Sequence, residues 1–430
     1  MCSSDLYTSL ASQRSPSAIS LDAVKADADL WLAKEVYGRQ TQPVDFQNFY
    51  NIHFYPYWWD VIDLYEATGD KKYLSAAVEG AFHTLAGQWS HPRHPQGDIT
   101  VHPDGSQVTY HPVWHKNDQL FRLGWPRQPG DTPAHDVPAW QVSPVGLGLE
   151  QPSTYTAFRG AMNNIMQSTW APHLLRVFRH TDREIFRTFA RNSVIGRFAN
   201  YPGYYLTCFT DLVRDPRYPY KGPDITSLYY HHIPVHYAFA MDYLVADAEV
   251  RSGGQVGFPW VKQKNYAWFN SRVYTAEPGR VYDDKQAVLW LERGLVSTDV
   301  QTDWLAARSP ERFWVMLMNQ THAARTVTVH LDGAKIGLKP GDGVLYEGNA
   351  DPFRAAEPAA PRPAPALADN AFSVSIAPLS LVTVGYPAEA RAAFPAGQPL
   401  AEAHRTADAG EFGKAHAFAI RSPWAKDALY

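Results

Sequence analysis

The chain is short of the features that usually classify a protein at a glance. It holds 2 Cys in 430 residues, Cys2 and Cys208, too few for a disulfide framework. No run of about 18 consecutive apolar residues occurs, so the sequence offers no ordinary membrane-spanning helix. Charge is sparse and balanced: 19% of residues are charged, and 39 basic side chains against 43 acidic ones leave a net charge of −4. That balance lacks the basic face that nucleic-acid binding requires. Phosphate and nucleophile signatures are missing as well, with no G-x-x-x-x-G-K-[ST], no G-x-G-x-x-G and no G-x-S-x-G. Nor does the chain open on a basic patch followed by the apolar run of roughly 7–15 residues that marks a secretory signal.

Aromatic residues and histidine are what it has in quantity: 14 Trp, 24 Tyr, 20 Phe and 17 His. A hydrophobic fraction of 45% is ample for packed cores. The length suggests two or three domains. Rings beyond the needs of a core often line clefts, since they join apolar faces to polar edges. Here they concentrate at 48–59, 110–140 and 201–237.

The first 250 residues carry helical spacing. Leu21–Gly38 has apolar residues at 21, 24, 28, 31, 32 and 36, closed by Gly38. A second helix follows after Pro56 and ends at Ala67-Thr68-Gly69, a glycine C-cap, with Asp70 placed to cap the next helix. That helix puts Tyr73, Ala77, Ala81 and Leu85 on one stripe. A second hairpin is expected over 153–199, its first arm interrupted at Pro172. A last helix is expected over about 227–250. Between the hairpins lies a non-helical insert, 91–151, in which ITVHPDGSQVTYH reads as a β-hairpin around Pro-Asp-Gly. After Gly253 the texture turns to strands: NYAWFNSRVY, AVLWL, RFWVMLMNQ, RTVTVHLDG and AFSVSIAPLSLVTVGY. The stretch AEPAAPRPAPALA, 356–368, reads as a Pro/Ala linker or long loop.

Two segments resemble each other, LYEATGDKKYLSAA and VFRHTDREIFRTFA, each a helix, a Thr-(Gly)-Asp turn and a helix. On Tyr65-Glu66-Ala67-Thr68-Gly69-Asp70-Lys71-Lys72-Tyr73-Leu74 and the second hairpin, over about 230 residues, the chain resembles the six-hairpin toroid glycosidases and the related toroid polysaccharide lyases. The resemblance implies an α+β multidomain protein, a partial (α/α) toroid of helical hairpins followed by an antiparallel β-sandwich. The expected divisions are a disordered or artificial start at 1–20, the helical part at 21–253, the sandwich at 254–386 and the start of a further β segment at 387–430. The resemblance also implies a poly- or oligosaccharide substrate held in a central funnel, and an exported protein. Met1–Leu6 resembles a translated sequencing adapter, and HAFAIRSPWAKDALY reads as an unfinished strand. The chain is therefore expected to be a piece of a longer protein.

Three groups of residues are candidates for chemistry. Tyr229-Tyr230-His231-His232-Ile233-Pro234-Val235-His236-Tyr237 gathers proton-transfer groups beside a helix start, where Pro234 fits the first turn and a substrate carboxylate is favoured. Hydrogen-bonded core histidines explain the same pattern. No metal is expected, since the His232/His236 spacing lacks a nearby Glu and a third ligand. Asn163, Asn164 and Gln167 are amides suited to holding a uronate in its acidic form during β-elimination, or to pairing across helices. Glu150 is the first choice for one of the two carboxylates that hydrolysis needs, with Asp211 or Asp224 for the other; Asp224 would equally serve as a helix cap.

Trp114, Trp125 and Trp140 in the insert suit sugar rings. Tyr155, Arg159 and Tyr204 are placed with them as substrate contacts, and Arg159 or Arg197 suits a carboxylate. Two enzymatic readings stay open. A glycoside hydrolase would use Glu150 and Asp224 as acid and base, with His231 and His232 orienting the sugar. A polysaccharide lyase would use Asn163 or Asn164 as neutraliser and Tyr230 with His232 as proton carriers. A non-catalytic glycan-binding protein is the third possibility. No cofactor is expected in any of them.

Overall fold

The computed structural model describes residues 20–37, 58–86, 88, 98–101, 115–116, 119–120, 135–138, 170–200, 233–262, 271–275, 277–292, 294–299, 301–348 and 360–389. The fold is mixed, with helices and antiparallel sheets, and the chain divides into two compact units. One comprises Met1–Asp247 with Val261–Val273, the other Ala248–Trp260 with Tyr274–Tyr430.

The first unit is built on helices. α1, Leu21–Trp31, starts at Ser20, whose hydroxyl accepts the Ala23 N–H at 3.2 Å. It buries Val24 and Ala28 and runs on into a π-helical segment, Leu32–Tyr37. α2, Trp58–Thr68, buries Trp58, Trp59, Val61, Ile62 and Leu64. α3, Lys71–Ala86, buries the expected stripe of Tyr73, Ala77, Ala81 and Leu85. The Asp70 carboxylate accepts the Lys72 N–H at 3.1 Å, the capping role its position suggests. Lys72 and Tyr73 reach back to Asp29 at 2.7 and 3.0 Å, fastening α3 to α1.

The second hairpin consists of α4, Ala171–Thr181, and α5, Glu184–Asn200. Pro172 lies in the first turn of α4, where the missing N–H costs no intrahelical bond. The part of the expected first arm before Trp170 lies outside the described residues. α4 packs against both α2 and α3. α6 spans Ile233–Arg251, with Pro234 in its first turn. In the insert, Asp98–Val101 pairs antiparallel with His135–Pro138, Ile99 opposite Val137. The return strand expected just after Pro-Asp-Gly lies outside the described residues.

The second unit is antiparallel β structure. One sheet has the strand order Arg362–Pro363, Val344–Glu347, Leu381–Pro387, Arg312–Asn319, Thr302–Arg308, Asp284–Leu289, Gly279–Val281, Val256–Gly257. The other has Val296–Ser297, Arg325–Leu331, Ala371–Ile376. Residues of both meet in one core, including Phe313, Val315 and Leu317 from the larger sheet and Val327, Val329, Phe372 and Val374 from the smaller.

Arg325–Leu331 alternates strictly, burying Val327, Val329 and Leu331 and exposing Thr326, Thr328 and His330. Opposite them, Ser375 and Ser373 bond the Thr326 and Thr328 hydroxyls at 3.0 Å each. Arg312–Asn319 is buried on both faces, which is why RFWVMLMN reads as an unbroken apolar run. On its second face Trp314 lies over Gly385, and a Cβ there would collide with the indole. The Pro/Ala stretch is not only a linker: Arg362–Pro363 adds an edge strand beside Val344–Leu345, the position in a sheet that tolerates proline.

Candidate functional site

Among the described residues, the densest cluster of titratable groups lies within the helical unit. It grows from three helices. α2 carries Asp63 and Glu66 at i, i+3, on one face. α4 carries His173, Arg176 and His180 at i, i+3 and i+7, also on one face. α6 contributes Asp242, and Arg272 comes from the strand Arg272–Tyr274.

Arg176 is the hub on α4. Its Nη2 donates to Asp63 Oδ1, and to Glu66 Oε2 at 2.6 Å, while its Nε donates to Glu66 Oε1 at 3.2 Å. The guanidinium fork thus grips one carboxylate with two N–H groups and touches a second. Glu66 accepts two further bonds: Arg272 Nη2 at 3.1 Å and His180 Nε2 at 3.2 Å. Arg272 also donates its backbone N–H to Asp242 Oδ2 at 2.8 Å. The ionic path therefore runs from α6 through Arg272 to α2, and from α2 through Arg176 to α4.

At its other end the path meets aromatic rings. Arg176 Nη1 donates to His173 Nδ1 at 3.2 Å, which places the imidazole hydrogen on Nε2. The His173 ring stacks on Trp59, centroids 6.2 Å apart at 27°, and stands edge-on to Trp58. Trp59 in turn contacts Trp170, which caps α4. The Trp58 indole N–H donates to Thr84 on α3 at 2.8 Å. Near Glu66, His180 stands edge-on to Tyr65 at 4.9 Å.

The electrostatics follow from burial and pairing. Burial by itself would push the Glu66 carboxyl up. Arg176, His180 and Arg272 outweigh it and hold the group well below the usual carboxylate range. Burial would lower Arg176, and Asp63 and Glu66 more than reverse that. Glu66 is thus held in its anionic form, with Arg176, Arg272 and His180 donating to it. Such a group organises its neighbours; it does not deliver protons, because a general acid needs a raised pKa.

Glu150, Asp224, Tyr230, His231 and His232 lie outside the described residues. So do Trp114, Trp140, Tyr155, Arg159, Asn163, Asn164, Gln167 and Tyr204. His236 falls in the first turns of α6. Asp63, Glu66, Arg176, His180, Asp242 and Arg272 were not anticipated as a cluster. The i, i+3 and i, i+4 spacings on α2 and α4 were available signals. What was hidden is that Arg176 meets a carboxylate 110 positions earlier. Among the described residues no group of three or more His, Cys, Asp or Glu side chains could hold a metal ion, and no helix is long and apolar enough to cross a membrane.

No protein-family model matches the chain, and no curated relative matches it. Among solved structures it is similar to an endoxylanase of glycoside hydrolase family 30 from Clostridium papyrosolvens, with 12% identity and a TM-score of 0.18. That match covers 24% of this chain and 24% of the endoxylanase. It is also similar to a Paenibacillus polymyxa xyloglucanase of glycoside hydrolase family 44, solved with xyloglucan, with 20% identity and a TM-score of 0.17. That match covers 21% of this chain and 17% of the xyloglucanase. The chain thus spans a quarter or less of each, and likenesses of this size carry no argument about its fold or activity.

Proposed function

We propose that this chain is part of a carbohydrate-active enzyme, a glycoside hydrolase whose helical hairpins form part of an (α/α) toroid and whose strands form an accompanying β-sandwich. One observation carries the reading: the two hairpins repeat each other in geometry as well as in sequence. Thr68 and Thr181 each donate a hydroxyl hydrogen bond to the carbonyl four residues back, at 2.7 Å in both. The following residue is left-handed in both, Gly69 at φ 71° and Asp182 at φ 53°. Tyr73 and Phe186 then occupy equivalent buried positions. A repeated hairpin of this kind is a unit that buries its apolar face by stacking on neighbours. In chain order it is followed by antiparallel sheets over one core.

In this proposal the helical part runs over 21–253 and the sandwich over 254–386. Glu150 and Asp224 act as the acid and base of hydrolysis. His231 and His232 orient the sugar, and Trp114 and Trp140 supply ring faces. The substrate is a uronate-containing poly- or oligosaccharide, and the protein works outside the cytoplasm.

The test is turnover on a panel of uronate-containing polysaccharides, with Glu150→Ala, Asp224→Ala and His232→Ala alongside. New reducing ends without ultraviolet absorption, lost in the two carboxylate variants, are expected. An ultraviolet-absorbing unsaturated product would replace hydrolase with lyase. Full turnover in all three variants would overturn the assignment of the site. Binding of the panel with no turnover in any preparation would point to a glycan-binding protein.

A further inference from the structure

We infer that Glu66 is a positioning residue, holding α2 and α4 side by side through Arg176 and tying the Arg272 strand to them. Its link to catalysis rests on the proposed function; its structural part does not.

The contacts between α2 and α4 come in two tiers. Trp58 and Trp59, at the start of α2, meet His173 and Trp170 at the start of α4. Asp63 and Glu66, further along α2, meet Arg176 and His180 further along α4. Residue number rises in the same direction in both tiers, so the two helices run parallel. At about 1.5 Å of rise per residue, the ionic tier begins roughly 8 Å along each helix, at Asp63 and Arg176, and extends to Glu66 and His180 near the C-terminal ends. The tiers are joined by the Arg176 to His173 hydrogen bond of 3.2 Å. A shift of Glu66 therefore reaches the Trp58 and Trp59 rings through three successive contacts, Glu66 to Arg176 to His173 to the indoles, and Trp170 through a fourth from Trp59.

The geometry suits a positioning role better than a chemical one. Arg176 is 3% exposed and Arg272 is 6% exposed, whereas Glu66 is 25% exposed. Arg176 pairs with both Asp63 and Glu66, and Arg272 pairs with Glu66; burying a charge is costly unless it is paired. Replacing the Glu66 carboxylate takes one counter-charge from each guanidinium group and loosens the hold of α2 on both. In sequence, Asn163, Asn164 and Gln167 precede Trp170 by seven, six and three positions.

The experiment is hydrogen exchange read by mass spectrometry on the full chain, wild type against Glu66→Gln, at neutral pH. Exchange is expected to rise at least tenfold in peptides covering 58–68 and 171–181. It should stay within twofold in peptides covering 312–319 and 371–376. An unchanged rate in both helices would overturn the proposal, and so would an equal rise in the sandwich peptides, which marks loss of global stability only. If Glu66→Gln does not fold, Asp63→Asn keeps Glu66 and removes one of the two carboxylates on Arg176. A smaller rise confined to the same two helices is then expected, and an unchanged or chain-wide rate again overturns it.

The catalytic arm uses a polysaccharide that wild type turns over. Glu66→Gln should lower kcat at least tenfold with KM changed less than threefold, and Glu66→Asp should restore part of kcat. An equal loss in active fraction alone, with kcat per folded molecule intact, would overturn the catalytic link. Absence of any wild-type turnover falls on the proposed function, while the exchange rates judge the positioning.

Discussion

Gly69 and Asp182 occupy the same place in two successive hairpins. Each follows a threonine, and each donates its backbone N–H to the carbonyl four residues back, Tyr65 at 2.7 Å and Phe178 at 3.0 Å. Each sits in the left-handed region, where a Cβ is penalised for most residues and tolerated for Asn and Asp. A Cβ added at Gly69 meets no atom within 4 Å, so Gly69→Ala isolates the backbone cost. It should destabilise by about 1 kcal/mol. Asp182→Gly should stay within about 0.5 kcal/mol of wild type, relief of strain offsetting the greater freedom of the unfolded chain. Asp182→Val should cost about 1–2 kcal/mol, as β-branching is least compatible with this conformation. Urea denaturation followed by far-ultraviolet circular dichroism measures all three.

The Glu66 cluster makes a prediction about acid. The Glu66 carboxyl is held below its ordinary value, so its contribution to stability is present above the unfolded-state pKa of about 4.3. That contribution is lost as pH falls through the lower, folded-state value. Wild type should therefore lose melting temperature steadily between about pH 5 and pH 3. Glu66→Gln should start lower at pH 7 and show a shallower decline, because one acid-sensitive pairing is gone. Parallel slopes for the two proteins would remove Glu66 from the acid response.

What could be read from the sequence was local. The Thr-(Gly)-Asp turns, the Tyr73 stripe and the Asp70 cap depend on residues within one or two turns of each other, and they stand as expected. RTVTVHL and AFSVSI show period-2 alternation, and each is a strand with one face buried. Thr302–Arg308 escaped notice because TDWLAAR contains Leu, two Ala and Arg, good helix formers, and only its neighbours in the sheet make it a strand. Arg362–Pro363 escaped because its pairing is decided by the sheet edge it reaches. The Glu66 cluster was illegible for a further reason. Any of 43 acidic residues is a formal partner for Arg176, and only the packing of α4 on α2 selects two of them.

The second unit makes a prediction about base. Tyr282 turns the corner between Gly279–Val281 and Asp284–Leu289 with φ 52°, and its ring lies flat on Tyr346, 4.1 Å apart at 12°. The Tyr346 hydroxyl donates to Asp283 Oδ2 at 3.1 Å. Burial pushes both phenols up to about 12, and for Tyr346 the bond to Asp283 adds to it. The unfolded chain releases these protons near pH 10, so stability is intact below that point and falls as pH rises toward 12. Tyr346→Phe should shrink the drop in unfolding free energy between pH 9 and pH 11, while lowering stability at pH 8 by about 1 kcal/mol for the lost hydrogen bond. An undiminished alkaline drop in the variant would count against this account.

Asn319 belongs to the sequon Asn319-Gln320-Thr321, which would be of interest in a eukaryotic secretory setting. The structure gives the side chain another occupation. Asn319 is fully buried, and its Nδ2 donates to the carbonyls of Ala323, Ile376 and Ala377 at 2.8, 3.2 and 2.9 Å. Its Oδ1 accepts from the Thr321 N–H and hydroxyl, both at 2.9 Å. Its own carbonyl receives Arg251 Nη1 at 2.7 Å. A glycan on Nδ2 would remove a donor and find no room, so a glycosylated chain cannot complete this corner of the sheet. Folded protein secreted from a glycosylating host should therefore carry an unmodified Asn319, as peptide mass spectrometry would read directly. Asn319→Ala removes the amide from the Ile376 and Ala377 carbonyls and from the Thr321 N–H, while the Thr321 hydroxyl keeps the Ala323 carbonyl at 3.0 Å, and should cost more than about 2 kcal/mol. Asn319→Asp should cost more still, since a carboxylate would face three carbonyl oxygens in place of an amide donor. Finding the glycan on folded, protease-resistant protein would show that this amide is not the anchor of the corner.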